Sequence, residues 1–180
     1  MRSKGYKKFC VPHKKVKLIV GLISKEGEAL KMAEKLISKK FGPIDFRSRL
    51  IDFTHTDYYK NEFGENLKRK FISLKCLINP ENIYRTKLIT GAIERDLSSA
   101  GRRSVNIDPG YITEGKLVLL TTKDHNHRVY LRNGIYAEST LKFHNGTFIP
   151  WETTYPDYRS SAYAEIFNAI RSLYKKVLST

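Results

Sequence analysis

Between Val16 and Ile107 the hydrophobic period changes in a fixed order, and that order narrows the fold more than any single residue does. Val16 to Ile23, apolar apart from Lys17, is of strand length and reads as a buried strand. Ser24 then offers a helix N-cap, and Glu26 and Glu28 suit the positive end of a helix dipole. Ala29, Leu30, Ala33, Leu36 and Ile37 recur at helical spacing until Gly42-Pro43 stops them. Ile44, Phe46 and Leu50 alternate with Asp45, Arg47 and Arg49, predicting a second strand that ends near Phe53. The polar and aromatic stretch 54–64 reads as a loop. Phe71 to Ile78 is a third strand, broken by Asn79-Pro80. Leu88, Ala92, Ile93 and Leu97 mark a second helix closed by Gly101, and Arg103 to Ile107 a fourth strand. Strand, helix, strand, strand, helix, strand is the βαββαβ order of a ferredoxin-like sandwich.

The second half of the chain is of another kind. Lys116–Lys123, Arg128–Arg132, Ile135–Phe143 and Thr147–Trp151 are strand-like, and Asn133-Gly134 between two of them is a strong hairpin signal, because both central residues of a type I′ turn need positive φ. An antiparallel β-meander therefore continues the ferredoxin-like half. If Asn133 and Gly134 are the loop residues, Val129 faces Glu138 and His127 faces Thr140, while Arg128, Tyr130 and Arg132 project from the other face. Tyr163, Ile166, Phe167, Ile170, Leu173, Tyr174 and Val177 form an apolar stripe that predicts a C-terminal amphipathic helix. The expected class is α+β, one domain over residues 16–180, with the helices packed on one face of the sheet.

Charge adds a statement about partners. Among 180 residues, 33 Lys+Arg against 18 Asp+Glu leave +15, and 41% hydrophobic residues are enough for a packed core. Seven of the cations (Arg2, Lys4, Lys7, Lys8, Lys14, Lys15, Lys17) lie in the first 17 residues with no acid among them, so residues 1–15 are expected to be a flexible basic arm. Nucleic acid or a nucleotide is the partner such a balance suggests. The two cysteines, Cys10 and Cys76, read as reduced thiols of a cytoplasmic protein, and no apolar stretch reaches the ~18–20 residues of a membrane helix, so no membrane is expected.

Gly110-Tyr-Ile-Thr-Glu-Gly115-Lys116 matches seven positions of a phosphate-binding P-loop, but Leu117 stands where a hydroxyl should hold magnesium. A P-loop also opens a helix, and Leu117 to Thr122 has a strand pattern, so the match is read as accidental and Lys116 as the start of a strand. Magnesium, held by Asp108, Asp124 or Glu138, is the metal that carboxylates and substrate phosphates would favour.

Five stretches are distinctive: Lys17–Ile23, Phe41–Phe46, Val105–Tyr111, Thr122–Asp124 with His127-Arg128, and Thr154–Arg159. From about Val16 to the last helix they resemble an uncharacterised bacterial family, the domain of unknown function numbered forty-four sixteen. The resemblance implies no established activity. Some members of the family bear the label GTP-binding protein, which the imperfect P-loop does not support.

The residues point to an RNA- or nucleotide-handling protein with a polar site that could be catalytic. Asp108, His127, Glu138 and Asp157 are the acid/base candidates, histidine because its side chain titrates near neutrality. Arg102, Arg103, Arg128 and Arg159 would grip phosphates, and Tyr58, Tyr59, Tyr155 and Tyr158 would stack on bases. Arg159, with Arg103 or Arg128, should lie within salt-bridge reach of these acids. The alternatives are a non-catalytic module for ribosomal or transfer RNA, and a small-molecule phosphate enzyme whose basic arm is incidental. Convergence of the acids in one concave pocket favours an enzyme, and a flat basic aromatic surface favours the module.

Overall fold

The computed structural model describes residues 12–54 and 60–179. Most of the expected arm, and Tyr58 and Tyr59, lie outside them. The elements are β1 (Val16–Ser24), α1 (Gly27–Phe41), β2 (Ile44–Arg47), β3 (Ile51–Asp52), α2 (Lys60–Phe63), β4 (Lys68–Ile78) and α3 (Ile83–Asp96), followed by β5 (Asn106–Ile112), β6 (Lys116–Thr121), β7 (Val129–Arg132), β8 (Ile135–His144), β9 (Thr147–Pro150) and α4 (Ser161–Leu178). The strands form one sheet in the order β2-β4-β1-β5-β6-β8-β7, with β3 beside β4 and β9 beside β8, and every pairing is antiparallel. The protein is α+β, with a C-terminal helix. Among the described residues no helix is long and apolar enough to cross a membrane.

β1 sits at the centre of the first half and is buried at every position, which is why its sequence, Lys17 and Ser24 apart, is apolar without alternation. Leu18, Val20 and Leu22 face Leu30, Ala33 and Ile37 of α1 and Ile83 and Ile93 of α3. Ile19 points the other way, into a cluster with Phe71, Tyr163, Phe167 and Ile170. The helices therefore cover both faces, α1 and α3 on one and α4 on the other, and not the single face expected. A strand apolar on both alternations requires a cover on each side.

Several boundaries differ from expectation for local reasons. The first helix begins at Gly27 with Glu26 as its cap, while the Ser24 hydroxyl accepts from the Glu26 amide at 3.0 Å. The second strand is split at Ser48, whose hydroxyl accepts from the Phe71 amide at 2.9 Å and whose own amide donates to Phe71 O at 2.8 Å. The stretch read as a loop contains α2. β4 starts at Lys68, and Arg69 points inward with Phe71. Asp108-Pro109-Gly110, which resembles a turn, lies inside β5.

Residues 110–116 make the β5–β6 hairpin, and Lys116 opens β6 as expected. Gly110 serves close strand approach there: a Cβ would lie 2.3 Å from Val118 O. A strand, β6, and not a helix directly follows Gly115, so the P-loop match has no helix N-terminus to offer a phosphate.

The strands after β5 extend the sheet, but not in strict sequence order. β8 pairs with β6, and β7 takes the edge. Four residues exposed at every position are best left outermost, whereas β8 carries the buried Ile135, Glu138, Thr140 and Leu141. Asn133 and Gly134 both have positive φ, as the turn demands. Arg132 faces Ile135, but the register slips between Tyr130 and Arg132, so that Val129 faces Ala137 rather than Glu138. One bulged residue, Leu131, moves every earlier side chain of β7 to the opposite face. That slip turns Arg128 toward Glu138.

Candidate functional site

β5 and β6 pair only through Gly110–Ile112 and Leu117–Leu119. Beyond Gly110 they part: Asn106 and Asp108 stay with β1, while Leu120 and Thr121 follow β8. A cleft of about 830 Å³ opens at this fork. α3 walls it with Lys87, Leu88, Glu94 and Arg95, and the segment after β9 walls it with Tyr155 to Tyr158. The volume falls within the ~300–1,000 Å³ range of small-molecule sites.

Asp108, Glu138 and Asp157 all line this cleft. Arg69 joins two of them, with Nη1 donating to Asp108 Oδ2 at 3.3 Å and Nη2 to Asp157 Oδ2 at 3.2 Å. Only 3% of the Arg69 side chain is exposed, and its guanidinium lies over the rings of Phe53, Phe71 and Tyr158. Burial opposes its charge, but Tyr158, Asp108, Tyr163 and Asp157 outweigh that, so its pKa is raised and it stays protonated. Gly21 on β1 makes the room: a Cβ there would lie 2.8 Å from Arg69 Nη1.

The network continues along β5. Asn106 Nδ2 donates to Asp108 Oδ2 at 2.8 Å, and Asn106 Oδ1 accepts from Arg103 Nη1 at 3.1 Å. Arg103 holds Glu62 through two hydrogen bonds of 2.6 Å and approaches Glu94 at 3.3 Å. Those bonds hold Glu62 below its ordinary pKa. Glu94 moves the opposite way, because burial outweighs Lys87, the Ile107 amide and Arg103.

On the far wall Glu138 Oε2 accepts from Arg128 Nε at 2.8 Å, with 2% and 4% of the two side chains exposed. Arg128 also donates to Lys123 O and to the Tyr155 hydroxyl. Glu138 Oε1 accepts from Thr140. His127 reaches Glu138 Oε2 with Nε2 at 3.2 Å, but it lies in a shallow depression beside Trp151 and Lys142, not in the cleft.

The expected phosphate-binding arginines divide in two. Arg103 and Arg128 line the cleft, yet their guanidinium groups are engaged by protein acceptors. Arg102 and Arg159 lie outside it. Arg159 donates to the Thr154 and Glu152 carbonyls and makes no ion pair with the acids, because the turn before α4 folds its side chain back on that turn. Tyr155 stands exposed at the rim. Tyr158 lines the cleft but is buried, stacked on Phe167 at 5.9 Å, so its ring is not open to a base. Among the described residues no group of three or more His, Cys, Asp or Glu is placed to hold a metal, and Asp124 lies on an exposed turn apart from the cleft.

Sequence reasoning missed Arg69, Lys87, Glu94, Arg95 and Asn106. Extending the period of β4 back from Phe71 would have put Arg69 on the inner face. Nothing local marks Glu94, whose position depends on α3 docking beside β5.

A family model matches residues 14–174. The chain belongs to the DUF4416 family, a domain of unknown function. No curated protein and no solved structure matches it. In this DUF4416 domain, three of the five distinctive stretches supply cleft residues: Asn106 and Asp108 from Val105–Tyr111, Thr122, Lys123 and Arg128 from the stretch around the β6–β7 turn, and Tyr155 to Tyr158 from Thr154–Arg159.

Proposed function

We propose that this DUF4416 domain binds a small phosphate-bearing molecule of nucleotide size in the cleft at the β5–β6 fork. The observation that carries this reading is the convergence of Asp108, Glu138 and Asp157 with Arg69, Arg103 and Arg128 in one concave site. A flat basic surface would instead suit an RNA module. Arg69, Arg103 and Arg128 are bound to carboxylates and hold the walls in place. Arg95 and Lys123 stand on the exposed rim, which suits them to meet the phosphate, while Lys87, with 12% of its side chain exposed, lies behind them beside Asp108. Asp108, only a quarter exposed, is the acid placed to exchange a proton with a bound ligand. We also read the order β2-β4-β1-β5, with α1 and α3 on one face, as a ferredoxin-like half.

Isothermal titration calorimetry with adenosine 5′-monophosphate, guanosine 5′-monophosphate, ribose 5-phosphate and a short single-stranded RNA tests this. At least one phosphate ester should bind with 1:1 stoichiometry. The double variant Arg95→Ala/Lys123→Ala should weaken it by about tenfold or more, the loss expected for ~1.4 kcal/mol of charge-assisted contact. RNA binding with no response to any small phosphate would replace this reading with the module.

A further inference from the structure

Phe53, Tyr155 and Tyr158 line the cleft, and their rings are not alike. Phe53 and Tyr158 are buried, whereas Tyr155 is 46% exposed. A lone exposed tyrosine is ordinary on a protein surface. This one is fixed in place. Its hydroxyl accepts from Arg128 Nη2, and the Arg128 guanidinium lies 5.8 Å from the ring centroid. Arg128 is itself anchored, with Nε donating to Glu138 at 2.8 Å and Nη1 to Lys123 O at 2.9 Å. One buried guanidinium therefore holds the Tyr155 ring beside the Lys123 backbone. A surface ordered before its ligand arrives loses little entropy on binding. The face that α3 turns to the cleft is also more apolar than a phosphate needs. Leu88 is exposed there, and Gly91, one turn on, leaves the helix without a side chain between Leu88 and Arg95. A Cβ at Gly91 would meet nothing nearer than Arg95 Nη1 at 3.8 Å, so packing does not demand the glycine.

Resting on the phosphate-binding reading of this cleft, we infer that Tyr155 is a stacking platform for a nucleobase, and that the ligand is a free nucleotide and not a sugar phosphate. Lys123, beside the ring, and Arg95, on the rim, meet its phosphate. A sugar phosphate would set hydroxyls against this apolar surface, where they lose water and gain no partner. A planar heteroaromatic base buries its face there instead. Because every base has a π-face, the platform selects for a ring and not for one particular base.

Calorimetry on the intact protein compares adenosine 5′-monophosphate and guanosine 5′-monophosphate with ribose 5-phosphate, which carries the sugar and the phosphate without a base. At least one nucleotide should bind about tenfold or more tightly than ribose 5-phosphate, the scale of a stacked base. Tyr155→Leu keeps bulk but removes the π-face, and should reduce that ratio to about twofold or less by weakening the nucleotide. Tyr155→Phe keeps the ring and should hold the ratio within about threefold of wild type, although Arg128 loses an acceptor. Reading ratios cancels any effect of a substitution that acts on both ligands alike. A ratio unchanged in Tyr155→Leu, or lost in Tyr155→Phe, overturns the platform. Equal wild-type affinity for ribose 5-phosphate and both nucleotides overturns it too and leaves phosphate binding intact. Failure of every phosphate ester to bind overturns both readings.

Discussion

Replacing Arg69 with methionine tests whether the buried network is held by its central cation. Methionine keeps much of the stem volume against Phe53, Phe71 and Tyr158 but leaves Asp157, 10% exposed, and Asp108, 25% exposed, without their shared partner. Removing one member of a buried ion pair costs about 3–5 kcal/mol. Asp108 retains Asn106 and partial contact with water, so the lower figure, about 3 kcal/mol, is expected. For a domain of this size that corresponds to a fall of roughly 6–12 °C in Tm. Urea unfolding followed by far-ultraviolet circular dichroism measures it. The double variant Arg69→Met/Asp157→Asn should recover about 1 kcal/mol or more, because a buried charge that Arg69 balanced is removed together with Arg69. A single variant within about 1 kcal/mol of wild type, or a pair whose effects simply add, would show that the guanidinium is not what holds the two carboxylates in place.

Gly21→Ala places a Cβ 2.8 Å from Arg69 Nη1 and 3.2 Å from Phe71 Cε1, so a loss of about 1–3 kcal/mol is expected, and calorimetry should find it smaller when Arg69 is already methionine. Glu62 is held below its ordinary pKa by Arg103, so its stabilising contribution is present above the unfolded value near 4.5 and is lost as pH falls through the lower folded value. Glu62→Gln should therefore lower Tm at pH 7 and converge with wild type in acid; a Tm difference constant with pH would reject the pairing as its cause.

Much of the secondary structure is legible from period alone. The apolar run of β1 from Leu18 to Ile23, the stripe of α4 and the Asn133-Gly134 turn are local facts, since each depends only on which neighbours along the chain share a face. The gathering of Asp108, Glu138 and Asp157 is within reach of the same reasoning, through strand ends and hairpin faces. Three decisions could not be made locally. The β7 register turns on one bulged residue, Leu131, and a shift of one position exchanges faces, so Arg128 meets Glu138 instead of pointing away from it. Arg69 looks like part of a solvated basic run, yet carboxylates on β5 and on the turn before α4, far apart in sequence, make its burial tolerable. The cleft itself exists because β5 stays with β1 while β6 leaves with β8. Periodicity reports which face a side chain takes, but only packing against distant elements decides where two paired strands part and which charges meet in the gap.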